Sequence, residues 1–171
     1  MGQDELYQQA AATYGAALER LARAYEADAE RRRDLGQEIH LALWRSFAGW
    51  NGHCSMRTWV YRVAHNAATS YVIRERRVRA EALVTLEELE QLPEREGGVS
   101  ADRQEALARL TGLIQSLKTV DRQVILSYLE GMDAASIGEI TGLSPGNVAT
   151  KVHRIKNVLA RRFQEGGRHG E

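Results

Sequence analysis

The sequence predicts an all-α protein of two small helical domains joined by a flexible acidic linker. Three observations predict it. Apolar residues recur at helical spacing through the first 79 positions and again after position 101. A Ser-Pro-Gly helix start opens the last amphipathic stretch at Ser144, Pro145 and Gly146. Between the two helical blocks, residues 80–101 carry Glu81, Glu87, Glu88, Glu90, Glu94 and Glu96 against the single Arg95. Pro93, Gly97 and Gly98 fall there too, where helical periodicity fades.

The elements follow in order. A first helix is expected from about Glu5 to Glu26, with Leu6, Ala10, Tyr14, Ala17, Leu18, Leu21 and Tyr25 along one apolar stripe. A second begins near Arg33 and ends before Gly49. Its inward face is Ile39, Ala42, Leu43, Ser46 and Phe47, while Asp34, Gln37, Glu38, Leu41, Trp44 and Arg45 form a second stripe mixing charge, amide and large apolar groups. A solvated face seldom carries both Leu and Trp, so this stripe either packs on another helix or receives a partner protein.

The loop that follows, Phe47 to Cys54, brings Trp50, Asn51 and His53 together, groups able to stack on and hydrogen-bond an unstacked base. A third helix is expected from after Ser55 to Arg79. Val60, Val63, Ala64, Ala67, Tyr71 and Val72 face inward, leaving Arg62, His65, Asn66, Thr69 and Ile73 outside. Trp59 is assigned to the core on the general burial of large aromatics. Arg74, Arg76, Arg77 and Arg79 crowd the end of this helix, where they would complement its dipole or contact phosphates.

In the last block, Asp133 would cap a short helix with Ile137 and Ile140 inward, and Gly142 with Leu143 would make the turn into the helix begun at Ser144. Val148, Val152, Ile155 and Leu159 give that helix its core face. Its other side carries Asn147, Thr150, Lys151 and Arg154, flanked by His153 and Lys156. Hydrogen-bonding and cationic groups thus stand where base edges and phosphates would be. This is a helix-turn-helix pattern. The tail from Gln164, with Gly166, Gly167 and Gly170, is expected to fray, and residues 166–171 to be disordered.

Composition narrows the class. The formal net charge is zero, yet the charges are segregated: residues 1–79 hold 12 Lys/Arg against 9 Asp/Glu, and residues 102–171 hold 10 against 8. Two mildly basic blocks flank an acidic connector. No apolar run approaches a membrane span and nothing at the N-terminus reads as a signal peptide, so a cytoplasmic protein without membrane insertion is expected. Cys54 is the one cysteine and cannot form an internal disulfide; with His53 alone beside it, no metal site is expected. No catalytic triad, phosphate loop or metal-spaced ligand set is present, so neither an enzyme nor a cofactor is expected.

Three stretches carry a resemblance. Asp34-Leu35-Gly36-Gln37-Glu38 followed by Leu41-Ala42-Leu43-Trp44-Arg45 resembles the region 2 signature of bacterial extracytoplasmic-function (ECF) sigma factors of the sigma-70 family. Arg57-Thr58-Trp59-Val60-Tyr61-Arg62-Val63-Ala64-His65-Asn66 resembles the run that follows it in that family, and the helix-turn-helix resembles region 4. Four positions depart from the pattern: Lys118 where a proline is common, Gly36 and His40 in the region 2 helix, and Thr141 in Glu139-Ile140-Thr141, where Glu-Ile-Ala is usual.

The resemblance implies a promoter-specificity subunit of RNA polymerase. Residues 1–79 would be region 2, residues 80–101 the acidic linker and residues 102–165 region 4. Asp34, Gln37, Glu38, Leu41, Trp44 and Arg45 would contact the β′ clamp helices of core RNA polymerase. Trp50, Asn51, His53, Arg57, Arg62, His65, Asn66, Arg74, Arg76 and Arg77 would serve the −10 element. Ser144, Pro145, Gly146, Asn147, Thr150, Lys151, His153, Arg154 and Lys156 would serve the −35 element. Partners would be promoter DNA, the β′ clamp helices, the β flap and an anti-sigma factor; the linker would lie near the RNA exit path. The competing reading is a stand-alone helix-turn-helix regulator that binds a palindromic operator as a dimer.

Overall fold

A computed structural model describes residues 1–79, 83–91 and 103–165. The calls on Pro93, Gly97, Gly98 and the tail 166–171 lie outside the described residues. Among the described residues eight α-helices appear: α1 (Gln3–Tyr25), α2 (Ala29–Ser46), α3 (Met56–Arg79), α4 (Leu86–Gln91), α5 (Arg103–Ser116), α6 (Thr119–Leu129), α7 (Ala134–Thr141) and α8 (Pro145–Glu165).

Helices α1, α2 and α3 pack mutually around Leu18, Leu21, Leu35, Ile39, Leu43, Phe47, Val60 and Ala64. Helix α2 starts four residues earlier than periodicity suggests. The Asp28 carboxylate accepts from the amides of Glu30 at 3.1 Å and Arg31 at 2.9 Å, so the cap fixes the start and not the first apolar residue. Helices α6, α7 and α8 pack around Val124, Ile125, Ile137, Ile155 and Val158, with α5 and α4 laid on α8, and these side chains belong to the same apolar cluster as those of the first three helices.

The two halves are in contact, and α3 is the element they share. One side of α3 packs on α1 and α2, and the opposite side meets α6 and α7. This corrects the sequence reading of α3 at His65, which was expected outside and is fully buried. A helix packed on two sides shows no single apolar stripe, so periodicity assigned the polar side of α3 to solvent.

His65 stands in a chain of hydrogen bonds across the junction. Its Nδ1 lies 2.8 Å from the Tyr25 hydroxyl and its Nε2 lies 3.1 Å from Ser127 Oγ. Burial, aided by the nearby Arg122 guanidinium, lowers the imidazole from 6.5 to about 3, so it is neutral and one ring nitrogen donates while the other accepts. Arg122 lies over the Tyr25 ring, 4.9 Å from its centroid, and donates to the carbonyls of Gln115 and Leu117 at the end of α5. Desolvation lowers Arg122 to about 10, which keeps it charged where α5 ends and its free carbonyls favour a cation.

Glu130, at the end of α6, makes the second junction contact. Its carboxylate accepts two hydrogen bonds from Arg20, both 2.8 Å, and one from the Tyr61 hydroxyl at 3.1 Å, while its carbonyl accepts from Arg57. The paired Arg20 holds this carboxyl below its usual range.

A buried base whose pKa is depressed binds its proton less well in the folded chain than in the unfolded one. Stability is therefore full above about pH 6.5 and declines as pH falls towards the folded value near 3. The expected slope from this group alone is about 1.4 kcal/mol per pH unit. Urea unfolding of wild type and His65→Gln at about pH 7, 6 and 5 checks it. The wild type should lose more stability across that series than the variant, and parallel losses would remove His65 as the cause.

Candidate nucleic-acid interface

Three surfaces gather the polar and cationic residues singled out in the sequence. On α2, Asp34, Gln37, Leu41, Trp44 and Arg45 are exposed and Glu38 is half-exposed, all on the side away from Leu35, Ile39 and Leu43. Helical spacing of three and four residues puts them on one face. Leu41 and Trp44 remain 46% and 40% exposed. Arg74 of α3 pairs with Glu38 at 2.6 Å and lies over the Tyr71 ring. Together Asp34, Gln37, Glu38, Leu41, Tyr71, Arg74 and Glu75 line a groove of about 400 Å³. Trp44 is oriented from behind, since its indole N–H donates to Asp4 at 2.7 Å.

The second surface is the loop between α2 and α3. A 3-10 turn over Phe47–Gly49 leads into it. Asn51 and His53 are exposed, and the Asn51 side chain accepts from the His53 amide at 3.3 Å. Trp50 is half-buried, edge-on to Phe47 with centroids 6.1 Å apart, so its ring is partly committed to the protein. Trp59 is half-buried also; its N–H donates to Ser46 Oγ at 2.9 Å and the Arg62 guanidinium covers its ring at 5.2 Å. Arg62 donates as well to Cys54 Sγ at 3.1 Å.

The −10 set expected from the sequence is thus divided. Asn51, His53, Asn66, Arg74 and Arg77 lie at the surface, and Arg62 is half-exposed beside the loop. Arg57 and Arg76 point to the second half, donating to the carbonyls of Glu130 and Gln115, and His65 is enclosed. In this arrangement no base reaches His65.

The third surface is α8. The Asp133 carboxylate caps α7 by accepting from Ser136 N at 2.8 Å, and Gly142 ends α7 with φ of 79°. Such a left-handed residue favours glycine. Ser144 Oγ then accepts from Asn147 N at 3.2 Å, and α8 leaves the turn with Ser144, Pro145, Gly146, Asn147, Thr150, His153, Arg154 and Lys156 exposed. The cations of this face are not unoccupied. Lys151 pairs with Asp121 at 2.5 Å, Lys156 donates to Tyr128 at 3.2 Å, and Arg154 pairs with Glu87 at 2.8 Å.

Sequence reasoning missed four features here. Glu130 belongs to no motif and matters through its place in space. Arg122 reads as one more surface cation, although it is 1% exposed. Helix α4 carries a legible signal: Thr85 and Glu88 form a capping box, with Thr85 N donating to Glu88 at 2.6 Å and Glu88 N to Thr85 Oγ1 at 3.1 Å. Gly138 is the fourth. A Cβ there would lie 2.6 Å from the Leu143 carbonyl oxygen, so the α7–α8 turn closes over a bare helix backbone.

Among the described residues no helix is long and apolar enough to cross a membrane. Residues 11–78 match the family model for Sigma-70 region 2, and residues 107–159 match that for Sigma-70, region 4. The chain is 30% identical over 172 residues to the RNA polymerase sigma factor CnrH of Cupriavidus metallidurans, spanning 93% of this chain and 87% of that one. It is 25% identical over 142 residues to the ECF RNA polymerase sigma-E factor of Haemophilus influenzae, spanning 77% and 74%. A solved structure of CnrH in complex with the cytosolic domain of CnrY shares the fold, with a TM-score of 0.65 at 21% identity over 92% of this chain and 87% of that one.

Gly138→Ala should destabilise the turn by about 1–3 kcal/mol, because the clash is with backbone and not with a side chain that can swing away. Gly112→Ala in α5, where nothing lies within 4 Å of the added carbon, should raise stability by up to about 1 kcal/mol through helix propensity alone. Thermal melting of the two variants should move in opposite directions; a neutral Gly138→Ala would mean that the turn can relax.

Proposed function

Because the chain belongs to the sigma-70 family of RNA polymerase sigma factors, in its ECF group, we propose that its three surfaces divide the work of promoter-directed initiation among polymerase, −10 DNA and −35 DNA. The observation that carries this reading is the face of α2. It presents two large apolar side chains in the open, flanked by Asp34, Gln37 and Glu38, at the lip of a groove. Exposed Leu and Trp within a polar rim is the anatomy of a protein interface. We assign it to the β′ clamp helices of core polymerase.

The loop with Asn51 and His53, together with Arg62 and Asn66 on α3, takes the −10 element. Opening a duplex costs a few kcal/mol for each unstacked base, and capture of an extruded base by exposed amide and imidazole groups offsets that cost. Arg74 and Arg77 supply the positive charge for the backbone. The N-terminal half of α8, with Ser144, Pro145, Gly146, Asn147, Thr150 and Lys151, enters the major groove at the −35 element. Each well-read base pair there is worth about 1–3 kcal/mol of discrimination. His153, Arg154 and Lys156, further along the helix, approach the phosphates, and the β flap is the expected polymerase contact of this half.

The two DNA elements set a geometric demand. Elements roughly 25 bp apart are separated by about 85 Å along B-DNA at 3.4 Å per base pair. A chain whose α3 lies against α6 and α7 cannot span that distance, so polymerase binding must separate the halves. Separation releases Arg57, Arg76 and His65 from the second half and makes them available to the −10 region. A partner that holds the closed form would act as an anti-sigma factor; the relative CnrH has been solved with the cytosolic domain of CnrY.

The test is binding to bacterial core RNA polymerase by native mass spectrometry and pull-down, with wild type against a Gln37→Ala/Leu41→Ala double variant. Neither side chain belongs to the core, so the variant should keep its melting temperature. It should lose at least about tenfold in affinity, as expected for a truncated interface anchor. Equal binding by the two proteins would remove this face from the interface, and no binding by folded wild type would overturn the reading itself.

A further inference from the structure

The acidic connector is not a passive tether in this chain. Its described part, residues 83–91, is docked on the second half at three levels. Val84 makes a short parallel bridge with Leu117: Val84 N donates to the Ser116 carbonyl at 3.0 Å, and Lys118 N donates to the Val84 carbonyl at 3.1 Å. A proline at position 118 would have no N–H to give to this bridge. Helix α4 then starts from its Thr85–Glu88 capping box and buries Leu86 and Leu89 to 3% and 2% exposure. Arg162 of α8 donates to the Leu89 carbonyl, which fixes the far end.

With the apolar side of α4 turned in, its glutamates fall on the basic side of α8. Glu87 takes Arg154 at 2.8 Å; Glu90 takes Arg161 at 3.1 Å and lies 3.6 Å from the second nitrogen of Arg154. Arg154 is one turn beyond Thr150 and Lys151 on the helix assigned to the −35 element, and Arg161 continues the same side. A guanidinium paired with a carboxylate is in the geometry in which it would bind a phosphate. Glu87 and Glu90 beside α8 also present approaching DNA with like charge.

We propose that helix α4 is an internal stand-in for DNA, whose Glu87 and Glu90 occupy Arg154 and Arg161 and so hold the recognition helix in a low-affinity state until the connector is drawn away. This rests on the assignment of α8 to DNA, but not on polymerase binding. The exposed ion pairs are individually weak, so what keeps α4 in place is mainly the burial of Leu86 and Leu89, and withdrawal needs a partner or process that offsets their exposure. Any process that moves residues 83–91 off α8 unmasks both arginines in one step.

The test uses the full-length chain without polymerase, and a fluorescein-labelled 20-bp duplex of mixed sequence as probe, because phosphate attraction is independent of sequence. Glu87→Gln/Glu90→Gln keeps the shape of the connector and removes its pairing. Glu19→Gln/Glu30→Gln, on α1 and α2, makes the same change in net charge away from α8. The first variant should bind the duplex about fivefold more tightly than the second, with the gain shrinking as salt is raised. In an Arg154→Ala/Arg161→Ala background the connector substitutions should give no gain. Equal affinities for the two glutamine variants, or a gain that survives loss of both arginines, would overturn the proposal. The polymerase-binding assay above is untouched by either result, so the two readings fail separately.

Discussion

Tyr25, His65 and Ser127 form a hydrogen-bonded chain out of reach of water, with the Arg122 guanidinium laid over the tyrosine ring. An unsatisfied polar group at such a place costs about 1–3 kcal/mol, so the chain is favourable only when all its members are present in register. That requirement sets how α6 lies on α3. Once α6 is placed, Glu130 at its end falls between Arg20 and Tyr61, Arg57 reaches the Glu130 carbonyl, and Gln115 meets Arg23 and Arg76. Polar matching fixes the register of the junction, while the buried apolar side chains run as one cluster through both halves. The hydrogen bonds of such a contact fix one geometry while contributing little net energy each, since water can replace them when it opens. On the proposed reading, that suits a protein that must open to reach two DNA elements.

What could be read in the sequence follows from which interactions are local. The apolar stripe of α1, the core face of α2, the start of α8 at Ser144 and the cap at Asp133 depend on residues within a turn or two of one another, and the structure places them as expected. The α2 stripe was ambiguous in sequence between packing and interface; with Leu41 and Trp44 exposed, the fold leaves it unpacked. His65 was misplaced because a helix buried on two sides has no polar stripe to read. Of the connector expected to be flexible, residues 83–91 lie on the second half. Its charge was plain, but its order depends on Leu86 and Leu89 finding α8, a contact across some seventy residues that no window of sequence shows. The Thr85–Glu88 box was the one local sign of it.

Net charge illustrates the same division. A formal charge of zero hides two basic blocks and an acidic connector, and segregation along the chain was visible at once. Segregation in sequence does not persist in space. The fold brings the connector's carboxylates onto the arginines of α8 and Glu130 onto Arg20, so opposite charges separated by tens of residues are paired. The sum over the chain is a poor guide to DNA affinity; what decides it is which cations are paired in the state that meets the DNA.

Some of the cations that hold the closed form are also those proposed for nucleic acid. Arg57 and Arg76 serve the junction, and Arg154 serves the connector. A guanidinium turned to the other half of its own chain, or held at a carboxylate, is not presented to a phosphate even though it keeps further N–H donors, so on the proposed reading closure and promoter binding compete for the same side chains. No separate inhibitory segment is required for that competition. It follows, on the proposed reading, from using the same arginines for two purposes, with polymerase, by separating the halves, deciding which purpose they would serve.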